Sequence, residues 1–235
     1  SRDDVVIKRL MLETPSKGEL PAMVDLAMRD ELHLDGGEAI IDFLSDHVAG
    51  AESNLLAAAL PESSLQRGKK RMALAKRPIG CMSLRLLGAA QLVADPHGGR
   101  IACIDVSGDG AEFTLLEGRD VRVARAAMLP GGSDEETAEA AIREARRTWM
   151  SWRAEVGAAV IDQVILMGPD GLTSRILGSM PDITDTPVTV LSSHARVDQA
   201  NHDVGRLWSL LGLLIAHHTS RPLIDFTAPR KASHR

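Results

Sequence analysis

Aromatic residues are scarce: the chain has no tyrosine, and Phe and Trp together make up only 3% of its 235 residues. Surfaces that bind bases or sugars rely on aromatic rings for stacking, so few such surfaces can form here. The formal net charge is −5, and the basic residues are scattered apart from local clusters at 67–77 and 143–147. Nucleic-acid-binding proteins usually carry a basic stripe, so the composition argues against a nucleic-acid partner.

Motifs that carry chemistry are equally scarce. Cys81 and Cys103 each lie in an apolar stretch, which is typical of buried thiols in a reducing compartment; a disulfide or a metal-binding pair is the alternative. The histidines show no H-x-x-x-H or H-E-x-x-H spacing, and no G-x-S-x-G elbow is present. We therefore predict neither a metal site nor a catalytic residue. No apolar run approaches the ~18–20 residues that span a bilayer.

The first 95 residues predict strands and helices that end at the turn 96–99, "PHGG". The predicted helix at 61–76 carries the first basic cluster, which would be either a solvated face or a site for an acidic partner. An earlier helix has one apolar face, formed by Leu20, Met23, Val24, Ala27 and Met28. Strands are predicted at 4–12, 37–48, 53–60 and 79–86.

The second half predicts the order β-β-β-α-β-α-β-α. Three close strands at 100–106, 111–117 and 119–128 precede a long amphipathic helix that opens with a capping box, Ser133 and Glu136. Two tryptophans on its apolar face should be core residues. Three antiparallel strands followed by alternating helices and parallel strands are the plan of a ribonuclease-H-like unit. The predicted fold class is therefore α/β.

The turn in "IACIDVSGDG" (101–110) is the first candidate site. A buried strand delivers Asp105 into a turn of small residues, and such a turn can present backbone N–H groups to a phosphate. Asp105 and Asp109 could hold a metal or water, while Ser107 and Gly108 allow the tight backbone. The alternative is an ordinary glycine-containing turn.

A second loop, "LMGPDG" (166–171), joins a predicted strand to a helix. Its residues Gly168, Asp170 and Gly171 could contact a phosphate or nucleoside at the helix N-terminus. Pro169 removes one of the N–H donors that such a loop would use. A plain loop remains the alternative.

The order of these elements resembles the PilM family, actin-like cytoplasmic proteins of type IV pilus assembly that are related to the GspL cytoplasmic domain of type II secretion. "IACIDVSGDGAEFTLLEGRDV" resembles the family's phosphate-2 strand pair, and "IDQVILMGPDGLTSRI" resembles its adenosine loop. The resemblance implies a small SHS2-like α+β domain over 1–95, an actin-like, ribonuclease-H-like domain over 96–220, and a tail over 221–235 that could adjoin a membrane span.

Departures from the family pattern bear on nucleotide binding. Ser107 stands where the family has glycine, Asp109 places a carboxylate toward a phosphate, and Pro169 replaces a glycine. The phosphate-1 turn would precede residue 1, so we expect the sequence to be a fragment of a longer protein. The resemblance with these departures implies no cofactor and a vestigial site; ATP and Mg²⁺ would bind only in the alternative, an active ATPase or phosphotransferase.

The tail suggests a partner. PilM-type proteins bind a short cytoplasmic peptide that precedes the membrane helix of PilN, and "LIDFTAP" has a similar character. Its candidate partner-binding residues are Leu223, Ile224, Asp225, Phe226 and Pro229. We expect either a separate PilN-like protein or a fused PilN-like segment, with a disordered C-terminus as the alternative.

The resemblance implies a scaffold of a pilus or secretion platform, located in the cytoplasm at the inner face of the inner membrane. The membrane would be reached only through the partner, and a homo-oligomer is an open possibility. A third function class is a dimerisation module that uses the basic helix at 61–77.

Overall fold

The structure is a computed structural model that describes residues 5–13, 18–32, 38–45, 52–93, 98–107, 110–156, 160–197 and 204–231. It divides into two compact units. Unit 1 comprises 1–84 together with 222–235, and unit 2 comprises 85–221. Unit 2 is thus inserted in sequence between two segments of unit 1.

Unit 1 contains a three-stranded antiparallel sheet of order β1-β3-β2 and two helices. The apolar face predicted for its first helix is present, because Leu20, Val24 and Met28 are each at most 2% exposed and pack with the sheet residues Leu10 and Phe43. Its elements are β1 (Val6–Glu13), α1 (Leu20–Leu32), β2 (Ala39–Ser45), β3 (Glu52–Pro61) and α2 (Glu62–Leu74).

Unit 2 has the predicted β-β-β-α-β-α-β-α order, preceded by a short helix. Its five-stranded sheet has the order β6-β5-β4-β7-β8; the pairs β4–β5 and β5–β6 are antiparallel, whereas β4–β7 and β7–β8 are parallel. Its elements are α3 (Arg85–Val93), β4 (Arg100–Asp105), β5 (Gly110–Glu117), β6 (Asp120–Met128), α4 (Asp134–Val156), β7 (Gln163–Met167), α5 (Asp170–Ser179), β8 (Val188–Val190) and α6 (Trp208–His218).

The core of unit 2 lies between α4, α5 and the sheet. Trp149 and Trp152 pack edge to face with their ring centroids 5.9 Å apart, and both are buried as predicted. The predicted capping box at the start of α4 is also present. Ser133 Oγ accepts a hydrogen bond from the Glu136 backbone N–H (3.2 Å), and Glu136 Oε2 accepts one from the Ser133 backbone N–H (2.9 Å).

Two glycines set the distance between α3 and α6. A Cβ atom on Gly88 would lie 1.8 Å from the Ser209 carbonyl oxygen, and one on Gly212 would lie 2.0 Å from the Gly88 carbonyl oxygen. Neither contact could be relieved by a side-chain rotation, because both involve backbone atoms. The two helices can therefore pack at this distance only with glycine at both positions.

Several sequence-based predictions differ from the structure. The strand predicted at 79–86 is wrong: 79–84 has no regular structure and α3 begins at Arg85, since a short apolar run does not distinguish strand, helix and buried loop. Cys81 is exposed, whereas Cys103 is buried as predicted. The boundary between units lies at 84/85 and not at 95/96, because α3 packs on α6. The described residues 222–231, predicted as part of a separate tail, group with unit 1.

Within the residues that the structure describes, no helix is both long enough and apolar enough to cross a membrane.

Candidate functional site

The end of β4 forms the first candidate site. Asp105 is fully buried at the carboxyl end of this central strand. Its Oδ1 accepts hydrogen bonds from the Ser107 backbone N–H (2.8 Å) and the Ser107 hydroxyl, so Asp105 caps its own turn. Its Oδ2 accepts a hydrogen bond from the hydroxyl of Ser209, the second residue of α6. Both carboxylate oxygens are therefore engaged by donors of the chain itself.

A second buried carboxylate lies beside the first. Glu112 on β5 is the register partner of Asp105 and is only 6% exposed. Arg85 on α3 lies between them, with Nη2 3.7 Å from Asp105 Oδ2 and Nε 3.3 Å from Glu112 Oε1. The Arg85 guanidinium is thus shared by two carboxylates, and both carboxylates would repel a phosphate placed at this position.

The predicted loops of the vestigial site lie together at the carboxyl ends of the parallel strands β4 and β7, where Asp105 pairs with Met167. The Val106 backbone N–H donates to the Met167 carbonyl (2.8 Å). Gly168 has φ +154, and a Cβ atom there would lie 2.6 Å from Val106 Cγ2. Close packing against the β4 turn therefore explains this glycine without a ligand.

The first turn of α5 contains an acidic side chain at the place where a phosphate was expected to bind. Pro169 precedes the helix, and Asp170 lies in its first turn, followed by Gly171. A carboxylate in the first turn is stabilised by the helix dipole, which is the same field that would attract a phosphate. Gly108 and Asp109 lie outside the described residues. No group of three His, Cys, Asp or Glu side chains among the described residues could hold a metal ion.

The C-terminal segment forms the second candidate site. Ile224 and Phe226 are buried (0% and 2% exposed), whereas Leu223, Asp225 and Pro229 are half-buried. The backbone N–H of Phe226 donates to the Met82 carbonyl (2.9 Å), and Asp225 Oδ1 accepts a hydrogen bond from the Met82 N–H (3.1 Å). Hydrogen bonds thus join the C-terminal segment to the loop that contains Met82.

Asp42 on β2 anchors this segment. Its carboxylate is 1% exposed and accepts hydrogen bonds from two backbone N–H groups, those of Asp225 (2.7 Å) and Arg230 (3.0 Å). Arg230 Nη1 lies 2.8 Å from both Asp42 oxygens. The guanidinium also lies over the Phe43 ring, 5.6 Å from its centroid. Asp42 and Arg230 thus hold the C-terminal segment against β2, and we call this pair the clamp.

The surroundings of Cys81 change the chemistry of its thiol. Burial, followed by the Asp225 carboxylate, raises the pKa of Cys81 to about 11. Both effects disfavour the thiolate, so Cys81 is a poor nucleophile although it is exposed.

Sequence reasoning missed Asp42, Arg230, Arg85 and Ser209. The only local signal is Asp42, a charged residue inside an otherwise apolar strand. The other three act on carboxylates that are distant in sequence, by 104 residues for Ser209 and Asp105 and by 188 for Arg230 and Asp42.

The architecture is similar to those of two solved structures. A chain of a PilM–PilN type IV pilus biogenesis complex matches with a TM-score of 0.72 at 14% identity, over 92% of this chain and 77% of that chain. The cytoplasmic domain of EpsL, an inner-membrane component of the type II secretion system of Vibrio cholerae, matches with a TM-score of 0.53 at 10% identity, over 91% and 71%. No protein-family model and no curated protein sequence matches.

This chain has an α/β, actin-like fold. The predicted fold class is thereby confirmed. Within this fold, the Asp105 carboxylate at the end of β4 contacts the hydroxyl groups of Ser107 and Ser209 and the Arg85 guanidinium. At these identities the likeness is one of fold alone.

Proposed function

We propose that this chain is a PilM-like scaffold of a type IV pilus or type II secretion assembly platform, and that it works without nucleotide hydrolysis. The observation that carries the proposal is the similarity in fold to a chain of a PilM–PilN complex over 92% of this chain. The similarity to the EpsL domain extends over nearly the same length. In this role the protein would lie in the cytoplasm at the inner face of the inner membrane, bound to a PilN-like membrane-anchored partner.

The lack of hydrolysis is supported by the β4 turn. Both oxygens of Asp105 already accept hydrogen bonds from Ser107 and Ser209, so the carboxylate has little capacity left to orient a water or a metal ion. Glu112 and Asp170 add negative charge where phosphates would lie. We therefore assign Asp105 a structural role and expect no ATP or Mg²⁺ cofactor.

The C-terminal segment supports a partner acting in cis. Ile224 and Phe226 are buried, so a separate protein could contact them only by displacing the segment. We propose that Leu223–Pro229 is a fused PilN-like segment that this chain binds itself. The SHS2-like assignment of the N-terminal domain, the homo-oligomer and the dimerisation role of the basic helix remain predictions.

Two measurements test the scaffold. The reading frame of the full-length protein should continue after residue 235 into an apolar stretch of ~20 residues, which would anchor the fused PilN-like segment in the membrane. Titration calorimetry with Mg-ATP should show no binding. Micromolar binding of Mg-ATP that Asp105→Asn abolishes, in a variant with an unchanged circular dichroism spectrum, would refute the proposal and support an actin-like ATPase or phosphotransferase.

A further inference from the structure

The end of α2 concentrates positive charge. There is no Asp or Glu from Ser63 to Ala94, although the chain as a whole is acidic. Within that stretch six exposed cations lie in eleven residues: Arg67, Lys69, Lys70, Arg71, Lys76 and Arg77. We call this cluster, with Met72 and Leu74, the basic end of α2.

The backbone holds the last two cations against the helix. Lys76 N–H donates to the Ala73 carbonyl (2.9 Å), and Arg77 N–H donates to the Met72 carbonyl (2.9 Å), which together form a Schellman turn. Lys76 has φ +53, a left-handed conformation in which glycine is the usual residue. Lysine at this position adopts an unfavourable backbone conformation, but it places a positive charge at the end of the helix.

Five of these six cations lack a close carboxylate among the described residues, although Lys69 helps to lower the pKa of Glu62. The arginines of α4 lie near carboxylates, as shown by Arg143 with Glu139 (3.9 Å) and Arg147 with Glu144 (3.8 Å). By contrast, no carboxylate of the described residues forms an ion pair within 4 Å of Lys69, Lys70, Arg71, Lys76 or Arg77. The basic end of α2 therefore presents its charge to an external anion.

Apolar groups lie among the charges. Leu74 is 86% exposed and Met72 is 38% exposed. Leu74 follows Lys70 and Arg71 by four and three residues, so the three side chains share one helix face. A depression of about 390 Å³ beside them has an apolar floor with cations at its rim, and is lined by Lys69, Ala73, Lys76, Arg77, Pro78 and Ile79.

We propose that the basic end of α2 binds the surface of a bilayer that contains anionic phospholipid. Leu74 and Met72 would enter the boundary between headgroups and acyl chains, while the long cationic side chains reach back to the phosphates. An acidic protein would have to bury Leu74 together with the cations around it, at a desolvation cost that a bilayer avoids. Nucleic acid fits less well, because an exposed leucine offers it no stacking.

The proposed lipid contact differs from the sequence-based expectation that the membrane is reached only through a partner, and the experiment below distinguishes the two. The lipid contact does not require a PilN-like protein, so the purified chain should show it alone. The two proposals can therefore fail separately.

Vesicle co-sedimentation of the purified chain tests the contact. Vesicles with phosphatidylglycerol should bind it, vesicles of phosphatidylcholine alone should not, and added salt should weaken binding. Replacing Lys69, Lys70, Lys76 and Arg77 with Gln should weaken binding at least about 100-fold, because each cation near the surface contributes about fivefold. The matched control replaces four arginines of α4 with Gln, namely Arg143, Arg146, Arg147 and Arg153, and should keep most of the binding.

A second variant tests the apolar contact. Leu74→Ala should weaken vesicle binding about tenfold without changing its salt dependence. Folding should be unaffected because Leu74 is exposed. Equal binding to both vesicle types, or equal losses in the two four-residue variants, would overturn the proposal. It would also be overturned if polyglutamate or DNA bound more tightly than vesicles, or if the chain formed a salt-sensitive dimer without lipid.

Discussion

Replacing Arg230 with Ala should release the C-terminal segment from unit 1. Arg230 supplies the only guanidinium within 4 Å of Asp42 among the described residues, and the Asp42 carboxylate is 1% exposed. Without it, that carboxylate would keep only two hydrogen bonds, from the backbone N–H groups of Asp225 and Arg230. A buried charge would then remain without a balancing cation.

The free-energy cost of Arg230→Ala follows from the burial of the Asp42 carboxylate. Removing one partner of a buried ion pair typically costs 3–5 kcal/mol, and we expect about 2–3 kcal/mol here because water reaches the partly exposed Arg230 side chain. If the loss falls on local opening of the segment, the opening equilibrium rises by roughly 30- to 150-fold.

Hydrogen exchange measures the effect. Backbone amides of 223–230 should exchange faster by that factor in Arg230→Ala, while those of unit 2 should not change. Lys231→Ala is the matched control, since it removes a cation one residue further on and Lys231 has no ion pair within the described residues. In the Asp42→Asn background, Arg230→Ala should cost much less. Unchanged protection in Arg230→Ala, or an equal cost in both backgrounds, would refute the clamp.

Three further predictions concern other parts of the chain. Gly212→Ala should destabilise unit 2 by about 3 kcal/mol, because the new Cβ would collide with the Gly88 carbonyl. Urea unfolding followed by Trp fluorescence measures this loss. The control is Gly178→Ala, where a Cβ meets nothing within 4 Å, and it should not destabilise the unit. Cys81 should react with iodoacetamide at pH 8 about 100-fold more slowly than a free thiol, because its pKa is raised to about 11, and Asp225→Asn should speed the reaction; a rate equal to that of a free thiol would contradict the assignment. Ser133→Ala should lower the melting temperature at neutral pH. The Ser133 backbone N–H and hydroxyl both donate to Glu136 and lower the pKa of that carboxyl, and the variant loses only the hydroxyl. The hydroxyl's contribution is present above the ordinary carboxyl pKa and is lost as pH falls, so the difference between variant and wild type should shrink in acid.

The sequence predicted the elements of unit 2 well because their signals are local. The apolar face of α4, the capping box at Ser133 and the three close strands each depend on residues within a few positions of one another. The role of Asp105 could be predicted only as far as its own turn. Its other partners, Arg85 and Ser209, come from helices before and after the sheet, and no local pattern indicates them.

The end of the chain shows the same limit more sharply. The family resemblance predicted Leu223–Pro229 as a PilN-like segment, and its proline and the basic residues that follow it also suited a disordered C-terminus. Order arises instead from Asp42, 188 residues away from Arg230. A contact between residues so far apart leaves no periodic pattern in the sequence. The sequence does show an acidic residue, Asp42, within an apolar strand, but its role becomes clear only when the structure places Arg230 beside it.

The two buried carboxylates have a common consequence for function. Asp42 and Asp105 are each held by donors from segments far away in the chain, and neither is left to face solvent. Buried ion pairs add little net stability compared with apolar packing, so we interpret both as devices that fix where a closing segment docks. The family resemblance predicted Asp105 as part of a nucleotide site, but its carboxylate accepts a hydrogen bond from Ser209 in the first turn of α6. The accessible charges of the described residues therefore lie on their outer surfaces, and they include the basic end of α2, where six exposed cations lie in eleven residues.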